Sequence, residues 1–213
     1  MAQIDLSEIL SEGLCQLALA HPLDQKQQET LIKYVDLLNK WNKTYNLTAV
    51  RKPEQMVTRH LLDSLSICPY LRGKRILDVG TGAGLPGIPL AIAFPDRHFT
   101  LLDSNNKKTR FVTQAVSELE LSNVDVVQSR VENFQISPPF DTIISRAYSA
   151  IGDMVNQTRH LLALNGVFLA MKGMTPVAEI NELPEDFVLV KNHELYVPEL
   201  EEARHLLEIK CKE

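Results

Sequence analysis

The sequence predicts an α/β fold: a mostly parallel seven-stranded sheet with helices on both faces, a C-terminal antiparallel hairpin and a helical N-terminal extension. Three observations predict it. From Lys74 onward, short apolar β-runs alternate with helical segments, the texture of a parallel sheet covered on both sides. The first β-run leads directly into a glycine-rich turn, Asp78-Val-Gly-Thr-Gly-Ala-Gly-Leu-Pro-Gly87. The last two β-runs, by contrast, have little helix between them, which suits an antiparallel pair at the sheet edge.

Residues 1–70 read as the extension and 71–213 as the sheet domain. In the extension, Leu31, Tyr34, Val35, Leu38 and Trp41 recur at helical spacing with polar residues between them. Asn46-Leu-Thr interrupts the stripe. Pro53 suits the first turn of a new helix, because its fixed φ fits there and its missing N–H is not needed. A second stripe runs through Met56, Leu61, Leu62 and Leu65, and Pro69 closes it. Arg75-Ile-Leu-Asp-Val is the first strand, followed by a helix over Ile88 to Phe94. His98-Phe-Thr-Leu-Leu-Asp is the second, with a helix from Lys107 to Leu119. Val124-Asp-Val-Val-Gln and Asp141-Thr-Ile-Ile-Ser are the third and fourth, and a helix is expected over Met154 to Leu164. Gly166-Val-Phe-Leu-Ala-Met-Lys is the fifth strand. After a helix near Val177 to Leu183, Phe187-Val-Leu-Val and His205-Leu-Leu-Glu-Ile-Lys form the hairpin.

A chain of 213 residues buries one substantial core with an appendage. It has no run of apolar residues long enough to span a bilayer, and Met-Ala-Gln-Ile-Asp at its start lacks the basic and apolar regions of a secretion signal. A cytoplasmic location is expected. Cys15, Cys68 and Cys211 are scattered and odd in number, which argues against a disulfide framework or a zinc site. The net charge of −5 is unlike that of a generic nucleic-acid binder, but the charge is unevenly spread. Lys33, Lys40, Lys43, Arg51, Lys52, Arg59, Arg72, Lys74 and Arg75 face only Asp36, Glu54 and Asp63, so a basic surface in the N-terminal half is expected.

The glycine turn admits two ligands. Gly82-x-Gly84-x-x-Gly87 with Asp103 downstream matches a dinucleotide fingerprint, which points to a NAD-linked oxidoreductase. Gly80-x-Gly82-x-Gly84 preceded by Asp78 matches an S-adenosylmethionine loop. The second reading fits better, because the tight turn must follow the strand at once, and Gly80 does so. An acid just before the first glycine also suits a cationic ligand and repels a pyrophosphate. Asp103, at the end of the second strand, is placed to accept hydrogen bonds from ribose hydroxyls.

A methyl donor narrows the chemistry. None of the cysteines lies at a strand end beside the loop, so a cysteine nucleophile for pyrimidine C5 is disfavoured. Ser137-Pro-Pro-Phe140 precedes the fourth strand and so does not match an adenine-N6 motif, which follows it. Arg130, Arg146 and Lys172 follow the third, fourth and fifth strands. Ligands of open parallel sheets sit beyond those strand ends, so the three cations are expected to rim one crevice and face an anionic substrate such as RNA. A nucleophile with no proton to lose, such as guanine N7, needs positioning and no general base. No catalytic residue is assigned. A non-enzymatic assembly factor that merely kept an old nucleotide-binding fold is the alternative.

The run Leu77-Asp-Val-Gly-Thr-Gly-Ala-Gly-Leu-Pro-Gly-Ile-Pro-Leu, with Asn46-Leu-Thr-Ala, Arg59-His-Leu-Leu-Asp-Ser and Ile144-Ser-Arg-Ala, resembles the bacterial small-subunit ribosomal RNA guanine-N7 methyltransferase family, also called glucose-inhibited division protein B. The likeness extends from Tyr34 to Arg204-His-Leu-Leu-Glu-Ile-Lys. It implies a Rossmann-like class I methyltransferase with S-adenosylmethionine as donor, acting on 16S ribosomal RNA or the 30S particle, with no obligate protein partner. It implies cofactor contacts at Asp78, Gly80, Gly82, Gly84, Leu85, Asp103, Ser104, Val131, Glu132 and Arg146. Arg130, Arg146 and Lys172 would engage RNA, with Arg59 and His60 as further candidates beside Asp63. Asn105-Asn106 stands where relatives often carry a basic residue, and Tyr148 where Phe is common.

Overall fold

A computed structural model describes residues 5–146, 148 and 150–212. Helix α1 (Leu6–Leu17) starts at Asp5, whose side chain accepts from the Ser7 N–H, and α2 (Gln25–Tyr45) starts with a capping box between Asp24 and Gln27. Both devices satisfy amide groups that a helix start leaves without partners. Asn46, in the left-handed region at φ 50°, ends α2 at the interruption expected there. One helical segment then runs as α3 (Pro53–Met56), a π-helical stretch over Val57–Leu62, and α4 (Asp63–Leu65).

The sheet strands are β1 (Arg75–Val79), β2 (His98–Asp103), β3 (Val124–Gln128), β4 (Phe140–Arg146), β5 (Leu162–Lys172), β6 (Phe187–Leu195) and β7 (Arg204–Cys211). Between them lie α5 (Gly87–Ala93), α6 (Asn106–Glu118), α7 (Ile151–Thr158) and α8 (Val177–Asn181). The sheet order is β3-β2-β1-β4-β5-β7-β6. The first five strands pair in parallel, and β7 pairs antiparallel with both β5 and β6. The order reverses at β1, where the chain moves from β3 back across the sheet to β4. This is the switch point at which open α/β sheets bind their ligands.

The expected fifth strand begins later than the real one. A helix over Met154 to Leu164 and a strand from Gly166 were expected; α7 ends at Thr158 and β5 starts at Leu162. Leu162 and Leu164 suit either period in so short a run. Pairing of Leu162 with Phe140 across the sheet, through a register shift, decides for strand.

Side chains alternate across the strands and build a core on each face. One core joins Ile76, Phe99, Leu101 and Leu169 to buried residues of α5 and α6 and to Leu10, Leu31, Tyr34, Leu38 and Leu61 of the N-terminal helices. The other joins Leu77, Leu102, Ile143 and Phe168 to Ile151, Met154 and Val155 of α7. The N-terminal helices therefore share one continuous core with the sheet. Cys68 is buried, Cys15 and Cys211 are exposed, and all three are free thiols. Among the described residues, no helix is long and apolar enough to cross a membrane. Met1–Ile4 of the opening segment and Ala147 of the Ile144-Ser-Arg-Ala motif lie outside the described residues.

Candidate functional site

The glycine turn leaves β1 and climbs over the sheet edge toward α5. Gly80, Gly82 and Gly84 all adopt positive φ, and Gly80 (φ 68°) also faces Tyr148, which lies 3.1 Å from where a Cβ would stand. A side chain at Gly80 is thus excluded by backbone conformation and by space together. Hydrogen bonds from the Gly80 and Thr81 amides to the Leu102 carbonyl pin the turn to the end of β2.

Asp78 is the anchor of this turn. It is fully buried, and its Oδ2 accepts from Thr81 Oγ1 at 2.6 Å and from the Gly87 amide at 2.8 Å, tying β1 to the start of α5. Its Oδ1 is buried without a partner among the described residues. Burial pushes the carboxyl up to about 6, against the two hydrogen bonds that favour the charged form. The sequence suggested that this acid faces a cationic ligand; in the fold it lies beneath the loop. The loop is held from below as well. Tyr34 of α2, wholly buried, donates its hydroxyl to the Ala83 carbonyl at 2.8 Å.

Beyond the ends of β1, β2 and β3 the chain leaves a crevice of about 270 Å³. Gly80, Asp103, Ser104, Arg130, Val131 and Glu132, six residues singled out from sequence, line it together with Tyr148 and Ser129. Asp103 is oriented by accepting from the Gly82 amide through Oδ2 (2.9 Å) and from the Asn105 amide through Oδ1 (2.8 Å). Each oxygen keeps a lone pair for a ligand hydroxyl. Val131 supplies an apolar wall, and Glu132 and Ser104 are exposed at the rim. Tyr148 donates its hydroxyl to Gln157 and closes the side facing Gly80. Gly82, Gly84 and Leu85 shape the turn without lining the crevice, and Leu85 is buried.

Arg130 reaches the crevice; the other expected cations are engaged elsewhere. Arg146, at the end of β4, donates to Asp63 Oδ2 at 3.1 Å and to the Arg59 carbonyl at 3.2 Å. Lys172 pairs with Glu179 at 2.9 Å, and the same carboxylate caps α7 by accepting from the Ile151 amide. Arg59 pairs with Glu202 on the segment before β7. His60 is buried: it meets Thr48 Oγ1 at 2.9 Å and the Arg59 carbonyl at 3.0 Å. Burial, helped by the neighbouring Arg146 charge, pushes its pKa down to about 4, so it is neutral at pH 7. His60 therefore stands behind the site and presents no face to solvent.

Asp63 holds these parts together. Its side chain is 4% exposed and accepts from Arg146 on one oxygen and from Arg204 on the other, at 3.1 and 3.0 Å. The π-helical turn makes this possible. It presents the Arg59 carbonyl to Arg146 at the end of β4, and the Asp63 carboxylate that follows it to Arg146 and to Arg204 at the start of β7. Sequence reasoning grouped Arg59, His60 and Asp63 but could not supply Arg204, which is 141 residues from Asp63. It also read Tyr34 only as a core residue, because periodicity reports a buried face and says nothing of where a hydroxyl points.

A model of the family described as "GidB: rRNA small subunit methyltransferase G" matches residues 27–207. A protein named ribosomal RNA small subunit methyltransferase G from Klebsiella pneumoniae is 55% identical over 190 residues, which is 89% of this chain and 92% of that one. The protein of the same name from Pseudomonas aeruginosa is 54% identical over 203 residues, covering 95% and 94% of the two chains. Among solved structures, a glycopeptide N-methyltransferase, MtfA, complexed with S-adenosyl-L-homocysteine superposes with a TM-score of 0.61 at 12% identity, covering 72% of this chain and 87% of that one. TrmN from Thermus thermophilus does so with a TM-score of 0.56 at 16% identity, covering 80% and 53%. At such identities the structural likeness speaks for the fold alone: a Rossmann-like methyltransferase sheet. The sequence matches say more, since they run through the glycine turn, the crevice and the Asp63 cluster: the chain belongs to the rRNA small subunit methyltransferase G family.

Proposed function

We propose that this protein transfers the methyl group of S-adenosylmethionine to N7 of a guanine in 16S ribosomal RNA, presented as RNA or within the 30S particle. The observation that carries the reading is the crevice at the switch point, where the glycine turn, the end of β2 and the loop after β3 meet. Its residues fit the donor. Asp103 offers a fixed carboxylate to ribose hydroxyls, Val131 and Glu132 an apolar wall and an acceptor for the adenine, and Gly80 a backbone that admits close approach. When bound there, S-adenosylmethionine supplies a methyl carbon made electrophilic by a sulfonium. The protein's part is to hold the acceptor in line with it.

Guanine N7 carries no proton, so the site has none to remove. Buried, neutral His60 and buried Asp78 fit that economy, since neither faces the crevice as a base. Arg130 at the crevice wall, and Arg146, Arg59 and Lys172 around it, supply the positive side toward the phosphate backbone, with Arg146 held in place by Asp63 and Lys172 by Glu179. His60 and Asp63 fix the position of that basic edge. The cytoplasm, where ribosomal particles are made, is the expected site of action, and no obligate protein partner is invoked.

The test is radiolabelled methyl transfer from S-adenosylmethionine to 30S subunits that lack their native modifications, followed by nucleoside mass spectrometry. Label in 7-methylguanosine is expected. Label in another nucleoside would overturn the acceptor assignment, and none at all would leave only the fold.

A further inference from the structure

A second depression lies beside the crevice, on the face covered by the N-terminal helices. It is a groove of about 350 Å³ between the C-terminal half of α2 and the outer side of α6, bordering the edge strand β3. Trp41 forms one wall. Its ring packs against Tyr45 (centroids 5.2 Å apart) and Phe111 (5.6 Å), so the indole is held in place while still bordering the groove. Arg110, Asn106, Gln114 and Gln128 line the rest and are exposed. Among the described residues Arg110 has no ion pair or hydrogen bond. None of the described residues lining the groove is acidic, although Gln114 donates its amide to Glu118 at 2.7 Å, whereas Asp103 and Glu132 line the crevice itself. Exposed Lys107 lies one turn before Arg110 on α6.

We propose that this groove binds an unpaired nucleotide of the RNA substrate, with the base against Trp41 and its phosphate at Arg110. This rests on the reading of RNA as the substrate. A fixed aromatic wall, an unpaired cation and side-chain amides able to meet base edges are what single-stranded RNA recognition uses. Continuity with the crevice favours RNA over a protein partner. Ser104 and Arg130 line the crevice, and two residues from them Asn106, at the start of α6, and Gln128, at the end of β3, line the groove. A strand that delivers a guanine to the crevice passes the groove within a nucleotide or so, on the strand's own path.

Trp41 is the chain's one tryptophan, so its fluorescence reads the groove in the unmodified protein. Titration with a short single-stranded RNA should quench it, and an abasic version of the same RNA should quench far less. Arg110→Glu should weaken this binding about tenfold and raise KM for 30S subunits to a similar degree, with S-adenosylmethionine affinity unchanged. Arg110→Ala should lower the slope of log Kd against log salt by about 0.7, the loss of one phosphate contact to a single strand. No quenching by RNA, or an unchanged KM in Arg110→Glu, would overturn the proposal. Quenching by 30S particles but not by protein-free 16S RNA would also overturn it, assigning the groove to a ribosomal protein. Failure of the functional reading itself shows differently: no 7-methylguanosine forms on any particle, whatever the fluorescence does.

Discussion

Replacing Asp78 by Asn tests whether the acid beneath the glycine turn is a strained structural anchor. Burial raises its pKa from 3.8 to about 6, so keeping it ionised at pH 8 costs the fold about 3 kcal/mol at about 1.4 kcal/mol per pH unit. A carboxyl whose folded pKa lies above its unfolded one contributes stability below about pH 4 and loses it as pH rises to about 6. Asp78→Asn removes that loss and keeps one oxygen for Thr81 Oγ1 and the Gly87 amide. Its amide nitrogen takes the place of the partnerless Oδ1, an orphan donor worth about 1 kcal/mol or more of destabilisation. The net expectation is a gain of about 1–2 kcal/mol at pH 8, which for a chain of this size raises Tm by about 2–8 °C. At pH 4, where the native carboxyl is protonated in the fold, the gain should give way to a loss of about 1 kcal/mol, the cost of the orphan donor alone. Thermal unfolding followed by circular dichroism at both pH values measures it. A fall in Tm at pH 8 as large as at pH 4 would refute the burial argument. Weaker S-adenosylmethionine binding in a more stable Asp78→Asn would show that the charge is kept for the ligand at the expense of the fold.

His60 works in the opposite sense: its folded pKa of about 4 lies below the unfolded 6.5, so stability is lost as pH falls through that window, by up to about 3 kcal/mol. The two slopes offset each other in the native chain, so His60→Gln should reveal a stability that falls as pH rises from 4 to 6, read from urea midpoints across the range. Gly80→Ala meets both a φ of 68° and the Tyr148 ring, and should weaken S-adenosylmethionine binding at least tenfold by calorimetry, with about 1–2 kcal/mol of lost stability; unchanged affinity would remove Gly80 from the cofactor contacts. Asp63→Asn leaves Arg146 and Arg204 without their shared carboxylate and should destabilise by about 2–4 kcal/mol, since both guanidinium groups are only about a fifth exposed. Chemical denaturation checks that figure, and methyl transfer at a permissive temperature should show a larger KM for 30S subunits.

Much of the crevice was legible before folding. Gly80, Asp103, Ser104, Arg130, Val131 and Glu132 lie within a few residues of strand ends, and in a parallel sheet strand order turns such positions into one rim. Local chemistry was enough for them, because each is placed by the backbone of its own strand or turn. The same holds for the hairpin, visible as two β-runs without a helix between them, and for the caps of α2.

Other features depend on contacts between distant segments. Sequence spacing put Arg146 and Lys172 at strand ends, but only packing gave them Asp63 and Glu179 as partners and brought Arg204 to the same carboxylate. The tertiary structure also buried His60 and Asp78, turned the Tyr34 hydroxyl under Ala83, and set Trp41 beside Arg110 in a groove. By itself, then, the sequence determined the α/β layout, the glycine turn and the family, because periodicity and short motifs are local. Which charges are free, which are paired and which lose their charge was decided only by the fold, because solvent exposure and long-range ion pairs do not exist until the chain has closed upon itself.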